Sequence, residues 1–489
     1  MNNNRTTLMP RHGHPTRSVR AAGREFQALA WLLRHPLFVL VPALVVWGLA
    51  TWGWLTVTLI TAALALGLLG WHRGHPATFD VWAAPVLRTS WRRWTTYRGR
   101  RWRAVLDDCD LSKDDRRTGA VVYPAIKRVR AVTPSIDTLH VKIARGQDLR
   151  LWTDRLPALT EALCAERVAL TRLRPGVVTI VVERREPFRE LIDATPMPES
   201  SAEVDVYAVV IGEDEYGRPF PLRICGKHLL VVGGSGAGKS GPMWNALRGL
   251  APMIRDGLVR VTMIDLKGGT ETERGAQAFH RWATTMDDAV AALTQFRDSM
   301  KTRQAWMREN RVRTCPITVE TPLELLVIDE MAMLTAYGAR TLVKDALGLL
   351  AEILTQGRAA DHTVWGFVQE PTKDVIDVRD LFNHRLCLGV NAASHVDMAL
   401  GDGARDRGAL ADEIPGDLDH AGIGFAINPV TRLPVRFRAG LVEDHEIDDF
   451  ARFVTAPATT GEVLPFPHTH TSTDTDRPER RNDGEEHAS

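Results

Sequence analysis

The chain has 489 residues, 44% of them hydrophobic and 25% charged, with a formal net charge of +1. This is the composition of an ordinary globular protein. It excludes a chain disordered throughout, and the length leaves room for two or three domains. The cysteines (Cys109, Cys164, Cys225, Cys315 and Cys387) lie far apart, and no pair has metal-ligand spacing. They read as reduced thiols in a cytosolic compartment.

The near-neutral total hides an asymmetry. Residues 1–30 form a basic tail, and from Pro36 to Gly70 no residue is charged. One helix over that apolar run would measure about 52 Å, against a hydrocarbon core of about 30 Å. The expectation is therefore a two-helix transmembrane hairpin over residues 31–71, turning at Thr51-Trp52-Gly53-Trp54. Trp31, Trp47, Trp52, Trp54 and Trp71 suit aromatic belts. Arginines on both sides, Arg5 to Arg34 before and Arg73 to Arg103 after, place both flanks, both termini and the downstream domains in the cytoplasm. The run is too long for a cleaved signal peptide and lacks a small-residue cleavage site. A buried soluble hairpin is the competing reading. Residues 72–130 form a basic juxtamembrane segment in which Trp91–Arg103 mixes arginine with Trp91, Trp94 and Trp102. A lipid surface suits that mixture better than nucleic acid, because it directly follows the apolar run.

Residues 131–195 read as a small α/β adapter domain. Leu139–Ile143 alternates like a strand, Thr153–Leu173 has helical spacing, and Val177–Val182 is a β-branched run. Nothing in it has catalytic character, and Asp193–Glu203 looks like a linker. Over residues 196–450 apolar strands alternate with helical patterns, which predicts an α/β domain with a mainly parallel sheet. Residues 451–489 are polar and without apolar periodicity, and read as a disordered tail.

The chemistry-bearing motif is Gly233-Gly234-Ser235-Gly236-Ala237-Gly238-Lys239-Ser240, between the apolar run Leu229–Val232 and a helical pattern at Met243, Leu247 and Leu250. Phosphate oxygens must approach backbone N–H groups closely, so glycines exclude side chains there. Lys239 then reaches the β/γ-phosphates and the Ser240 hydroxyl ligates Mg²⁺, which makes ATP with Mg²⁺ the expected ligand. Only nine of the 61 basic residues are lysine, which makes Lys239 the less accidental. A carboxylate is also needed for the metal. Leu325–Ile328 is an apolar run that ends in Asp329-Glu330, a metal ligand followed by a general base. Val261–Ile264 ends in Asp265 and offers a rival, although Lys267 competes for the carboxylate. Gln369 follows the strand-like Thr363–Val368 as a candidate γ-phosphate sensor. Arg358 is a candidate arginine finger or a surface arginine.

The ordered set of the loop, Ile264–Lys267, Leu326–Glu330, Gly357–Ala360 and Gln369-Glu370-Pro371, with Asp374-Val375-Ile376 after it, resembles the FtsK/SpoIIIE family of DNA translocases. The resemblance covers roughly residues 130–440, small domain included. It implies a RecA-like P-loop motor that assembles as a homo-hexamer, with ATP bound between subunits and double-stranded DNA pumped through the ring. It favours Gln369 and Arg358 as coupling residues. The sequence departs from the family at Leu266, where proline is usual, and at Glu370, where arginine is usual. The chain after Leu441 is too short and polar for a DNA-reading winged helix, and no long proline-rich linker precedes the motor. These features are similar to FtsK-like conjugative transfer proteins of actinobacterial plasmids and integrative elements. The leading expectation is a membrane-anchored pump for mobile-element DNA. Chromosome segregation at the septum and a protein-secretion ATPase of the same superfamily are the alternatives, and a non-hydrolysing scaffold is disfavoured by Glu330. The arginines of 297–313 are candidate DNA-gripping groups or, more simply, a solvated helix face.

Overall fold

The computed structural model describes residues 37–115, 119–371 and 378–457, and divides into two compact units after Leu87. The first unit is dominated by the apolar helix Leu37–Gly74. Gly53 (φ 76, ψ 165) leaves helical geometry inside it, a conformation that glycine adopts without penalty. The kink is sharp: a β-carbon on Gly48 would lie 3.3 Å from Val57 Cγ2. Of the expected hairpin, the coarser part is present, an apolar N-terminal element with two helices meeting at Gly53. Among the described residues there is one candidate span, Ala43–Gly74, with its side chains unburied. Only Gly53 departs from helical φ/ψ, so the two helices meet at a single residue of Thr51–Trp54, and the Thr51 and Thr56 hydroxyls donate to carbonyls one turn back. The basic residues up to Arg34, and Trp31, lie outside the described residues.

In the second unit, strands β1 (Lys113–Asp114) and β2 (Val121–Val122) pair as a short ribbon. Strands β3 (Ala125–Arg130), β4 (Ile136–Lys142), β5 (Arg167–Arg174) and β6 (Val177–Glu183) form an antiparallel sheet in the order β3-β4-β6-β5. The helix expected over Thr153–Leu173 ends early. Helices Leu149–Asp154 and Leu156–Ala162 stop before Cys164 (φ 49), and residues 167–174 join the sheet. Their period of two, with Val168 buried and Leu170 packed against the same core, outweighs the helical spacing upstream. Trp102 is buried in this domain's core with Leu106, Leu139 and Trp152, and its indole donates to the Pro124 carbonyl. It is therefore not available to lipid or nucleic acid.

The larger sheet contains β7 (Val209–Asp214), β8 (Pro219–Leu222), β9 (Leu229–Val232), β10 (Val259–Ile264), β11 (Arg281–Ala283), β12 (Leu323–Ile328), β13 (His362–Val368), β14 (His384–Leu388), β15 (Ile423–Ile427) and β16 (Pro434–Ala439). Its order is β11-β10-β12-β13-β9-β14-β15-β16-β7-β8. The run from β11 to β14 is parallel and the remaining pairs are antiparallel. Burial on both faces explains the unbroken apolar text of the central strands. Leu229, Val231, Leu325 and Val327 enter one core, whereas Leu230, Val232, Leu326 and Ile328 enter the other. The two sheets are joined by buried charge: Arg436 of β16 pairs with Glu183 of β6 at 2.8 Å and with Glu186 at 2.9 Å. The final helix, Asp444–Thr455, carries a capping box at Glu443 and Glu446 and extends past the expected boundary at residue 450.

Candidate nucleotide site at the carboxyl edge of the sheet

Parallel strands deliver their C-terminal residues to one edge, and ligands of open α/β sheets bind in the crevice there. In this sheet β13 lies between the loop strand β9 and the acidic strand β12. Gln369 therefore emerges between Gly233 and Asp329.

The loop is held by its neighbours. The Gly233 N–H donates to the Val368 carbonyl (3.0 Å), the Gly234 N–H to the Gly389 carbonyl (2.7 Å), and the Gly422 N–H to the Ala237 carbonyl (2.9 Å). Gly238 has φ 82, and a β-carbon there would lie 2.4 Å from the Gly422 nitrogen, so both conformation and space demand glycine. The helix Ser240–Gly249 starts at the end of the loop, which directs its amide groups at an anion in the cradle. Its Asn245 is buried and satisfied on both sides, donating to the Gly241 and Gly440 carbonyls and accepting from the Thr195 N–H.

Lys239 Nζ donates to the Gly233 carbonyl at 2.9 Å and to that of Gly234 at 3.1 Å. Burial pulls its ammonium below the usual lysine range, and Glu330 and Asp329 work against that. Asp329 and Glu330 follow β12, and Glu330 caps the helix Met331–Thr335. Glu330 Oε1 accepts from the backbone N–H groups of Ala332 and Gln369, each at 3.4 Å. Burial pushes both carboxyls up, and Lys267 opposes the shift in both. Lys267 Nζ lies 3.2 Å from Asp329 Oδ2 and 3.7 Å from Glu330 Oε2. Burial lowers its own pKa, but the two acids outweigh that and the net shift is upward.

The rival carboxylate is otherwise engaged. Asp265 is fully buried, accepting from the Lys267 N–H (3.1 Å) and the Thr272 hydroxyl (3.0 Å), so it fixes the turn that aims Lys267. Sequence reasoning treated Lys267 as a competitor for Asp265. The structure makes it the cation of the Asp329–Glu330 pair. The signal was its position just past a strand end, in a chain poor in lysine.

Arg358 is exposed on the turn Gly357–Ala360, which precedes β13, whereas Gln369 follows that strand. Seven extended residues span about 23 Å, and the Arg358 charge is felt by Lys227 and His228, just before β9. Arg358 is thus not brought to the loop of its own chain. Of the arginines of 297–313, Arg297 pairs with Asp298 and Glu352, and Arg303 donates to the Ala360 carbonyl. Those two are spent within the fold. Glu370 is exposed, and Asp374-Val375-Ile376 lie outside the described residues.

A mostly apolar cleft of about 270 Å³ opens beside Gly238, Ser240 and Gly241, with Leu418, Ala421 and Val442 on its walls. It had no sequence signal, because its walls come from segments far along the chain. Arg438 on its floor is committed to the carbonyls of Phe188, Glu190, Asp419 and Ala421. Against the phosphate-binding loop, such a cleft has the size and chemistry to take a nucleoside.

Fold and site together define a P-loop ATPase. Residues 197–352, about a third of the chain, match the model of the FtsK/SpoIIIE family. Curated relatives include the DNA translocase FtsK of Halalkalibacterium halodurans, 25% identical, covering 67% of this chain and 42% of its own length. That of Mycobacterium leprae is 24% identical, with the same 67% and 42%. The chain thus spans about two fifths of the length of these relatives. Among solved structures, the pCW3 conjugation coupling protein TcpA, in its monomer form with ATPgS, aligns with a TM-score of 0.48 and 17% identity over 72% of this chain and 98% of that one.

Proposed function

We propose that this protein is a membrane-anchored, ATP-driven translocase of double-stranded DNA. The observation that carries the reading is the assembly of Lys239, Asp329, Glu330 and Gln369 on one sheet edge of an FtsK/SpoIIIE-family motor. Lys239 is placed to leave the loop carbonyls for the β/γ-phosphates, and the Gly233–Ser240 amides cradle them. Mg²⁺ fits the donor set, since Ser240 and Asp329 offer hard oxygen atoms and burial disfavours Asp329 as a lone anion. A bound divalent ion supplies charge neutralisation at the phosphates. Glu330 takes the proton of the attacking water, held in place by the N–H groups of Ala332 and Gln369. Gln369 reports the γ-phosphate along β13. Arg358, remote from its own loop, acts on the nucleotide of a neighbouring subunit in a homo-hexameric ring.

The helix Ala43–Gly74 supports anchoring in the cytoplasmic membrane, and the arginines from Arg73 to Arg103 favour the cytoplasmic side for the motor. The finer reading is transfer of plasmid or mobile-element DNA between cells. Its support is the short stretch between that helix and the motor, which holds three short helices and the small sheet domain. The decisive experiment measures ATP hydrolysis with linear duplex DNA. We expect stimulation that Lys239→Ala abolishes. Turnover indifferent to duplex DNA at every length and salt concentration would sink the motor reading, and equal stimulation by single strands would remove the duplex specificity. A mating assay with Lys239→Ala, scoring transfer and cell division separately, tests the finer reading. Failed division with intact transfer refutes it.

A further inference from the structure

Helix Ala84–Thr95 and helix Gly99–Asp108 carry a surface that the motor chemistry leaves unused. Between residues 81 and 106 there are seven arginines and no acidic residue; Asp80 precedes the stretch, and Asp107, which accepts from the Tyr123 hydroxyl, and Asp108 close the second helix. The internal side of this segment is firmly seated. Tyr97 donates to Asp137 Oδ2 at 2.7 Å, Arg184 binds the same oxygen at 2.7 Å and the Tyr97 hydroxyl at 2.8 Å, and the Thr89 hydroxyl accepts from the Ala131 N–H. Arg92 is turned inward to the same carboxylate, at 3.8 Å. With the inner face consumed, the outer one presents Trp91, 70% exposed, and Trp94, 49% exposed, together with Arg93 and Arg100. Arg98 lies over the Trp94 ring at 3.7 Å.

Large exposed aromatics on a helix, mixed with arginine and without compensating acid, are what an anionic lipid interface selects: the rings enter the headgroup layer and the cations meet its charge. The helix begins ten residues beyond the end of the apolar helix at Gly74. We propose that this face docks on anionic phospholipid headgroups. The Tyr97–Asp137–Arg184 knot then holds the small sheet, and through Arg436 and Glu183 the motor sheet, at a fixed attitude to the bilayer surface. This rests on the membrane-anchored reading for the proximity of lipid, and adds to it a second contact of different chemistry.

The test uses the full chain carrying Cys164→Ser, since Cys164 is the exposed one among the native cysteines. A cysteine replacing Ser90, on the exposed face, carries an environment-sensitive dye; a second version places it at Leu59 in the apolar helix. Both are reconstituted in vesicles of phosphatidylcholine alone or with one third phosphatidylglycerol, each with nitroxide-labelled lipid. The Leu59 dye should be quenched in both compositions. The Ser90 dye should be quenched only with phosphatidylglycerol, and the effect should fade in high salt. Each arginine near such a leaflet is worth about five-fold in partition, so Arg93→Glu with Arg100→Glu should cut quenching at Ser90 at least ten-fold while nucleotide binding is retained. Equal or absent quenching at Ser90 in the two compositions overturns the proposal. So does a Ser90 signal that responds to linear duplex DNA instead of lipid, which assigns the face to nucleic acid. Loss of quenching at Leu59 alone refutes the anchor and leaves the docking face standing.

Discussion

Gly366 offers a test of how the proposed general base, Glu330, is positioned. It lies in β13, and a β-carbon there would sit 2.2 Å from Met331 Sδ and 3.1 Å from Met331 Cγ, with Phe382 Cζ at 3.3 Å. Met331 is fully buried and directly follows Glu330. It cannot swing into solvent, so Gly366→Ala must push it by roughly 1.5 Å to restore ordinary contact at about 3.5–4 Å. Overpacking of that size costs about 1–3 kcal/mol of stability. The larger effect is on catalysis, because the push is transmitted to the first turn of the helix that Glu330 caps. Misplacing a catalytic group by about 1 Å costs on the order of 10²-fold in rate. Gly233–Ser240 follows β9 on the far side of β13, so nucleotide affinity should be retained. The assay pairs steady-state hydrolysis with equilibrium binding of a fluorescent nucleotide analogue, and we expect kcat down about 10²-fold with Kd within about three-fold. Wild-type kcat in a folded Gly366→Ala protein would refute the reasoning. Parallel loss of binding would mean that β13 cannot shift without β9.

Val442→Trp should fill the cleft beside Gly241 and weaken nucleotide binding about ten-fold, read by titration, while saturating nucleotide restores turnover. Arg436→Ala leaves Glu183, only 3% exposed, with Arg167 as its remaining ion-pair partner; we expect a loss of about 3 kcal/mol in denaturant unfolding. Arg358→Ala should spare nucleotide binding, and a mixture with Glu330→Gln should recover hydrolysis that neither has alone, because each supplies what the other lacks; an inactive mixture argues against action between subunits. His228 is buried, accepts from the Val364 N–H, and burial pulls its pKa from 6.5 down to about 4. A group held neutral in this way contributes stability that is complete above the unfolded value and lost as pH falls through about 4. Thermal midpoints should therefore decline between pH 6.5 and 4, less steeply in His228→Gln, at a cost of up to about 3 kcal/mol.

The elements legible in the sequence are those whose signal is local. The loop, its strand and its helix lie within 21 consecutive residues, and unbroken apolar runs marked β9, β12 and β13 because both sheet faces are covered. The place of Asp329 and Glu330 at the end of β12 was legible for the same reason. Residues 167–174 were misread because helical and strand spacing overlap over short windows, and the decision was made by pairing with β6. The hairpin expectation rested on length against bilayer thickness, which fixes how much chain must be accommodated but not whether a glycine makes a loop or a kink.

What stayed hidden is assembled from distant segments. The Gly422 amide that meets Ala237, the Gly389 carbonyl that receives Gly234, and the walls Leu418 and Val442 all come from segments far beyond the loop, at position 389 or later. None has a spacing relation to it. Lys267 is the instructive intermediate. Its side chain is placed by a backbone turn that Asp265 caps, and Asp265 is itself held by Thr272, whose hydroxyl accepts from Trp282. Substituting Thr272 would therefore act on Asp329 through two hydrogen bonds and an ion pair without touching nucleotide. The acid that sequence alone offered as a rival metal ligand supports the cation that pairs with Asp329, the acid proposed to hold the metal.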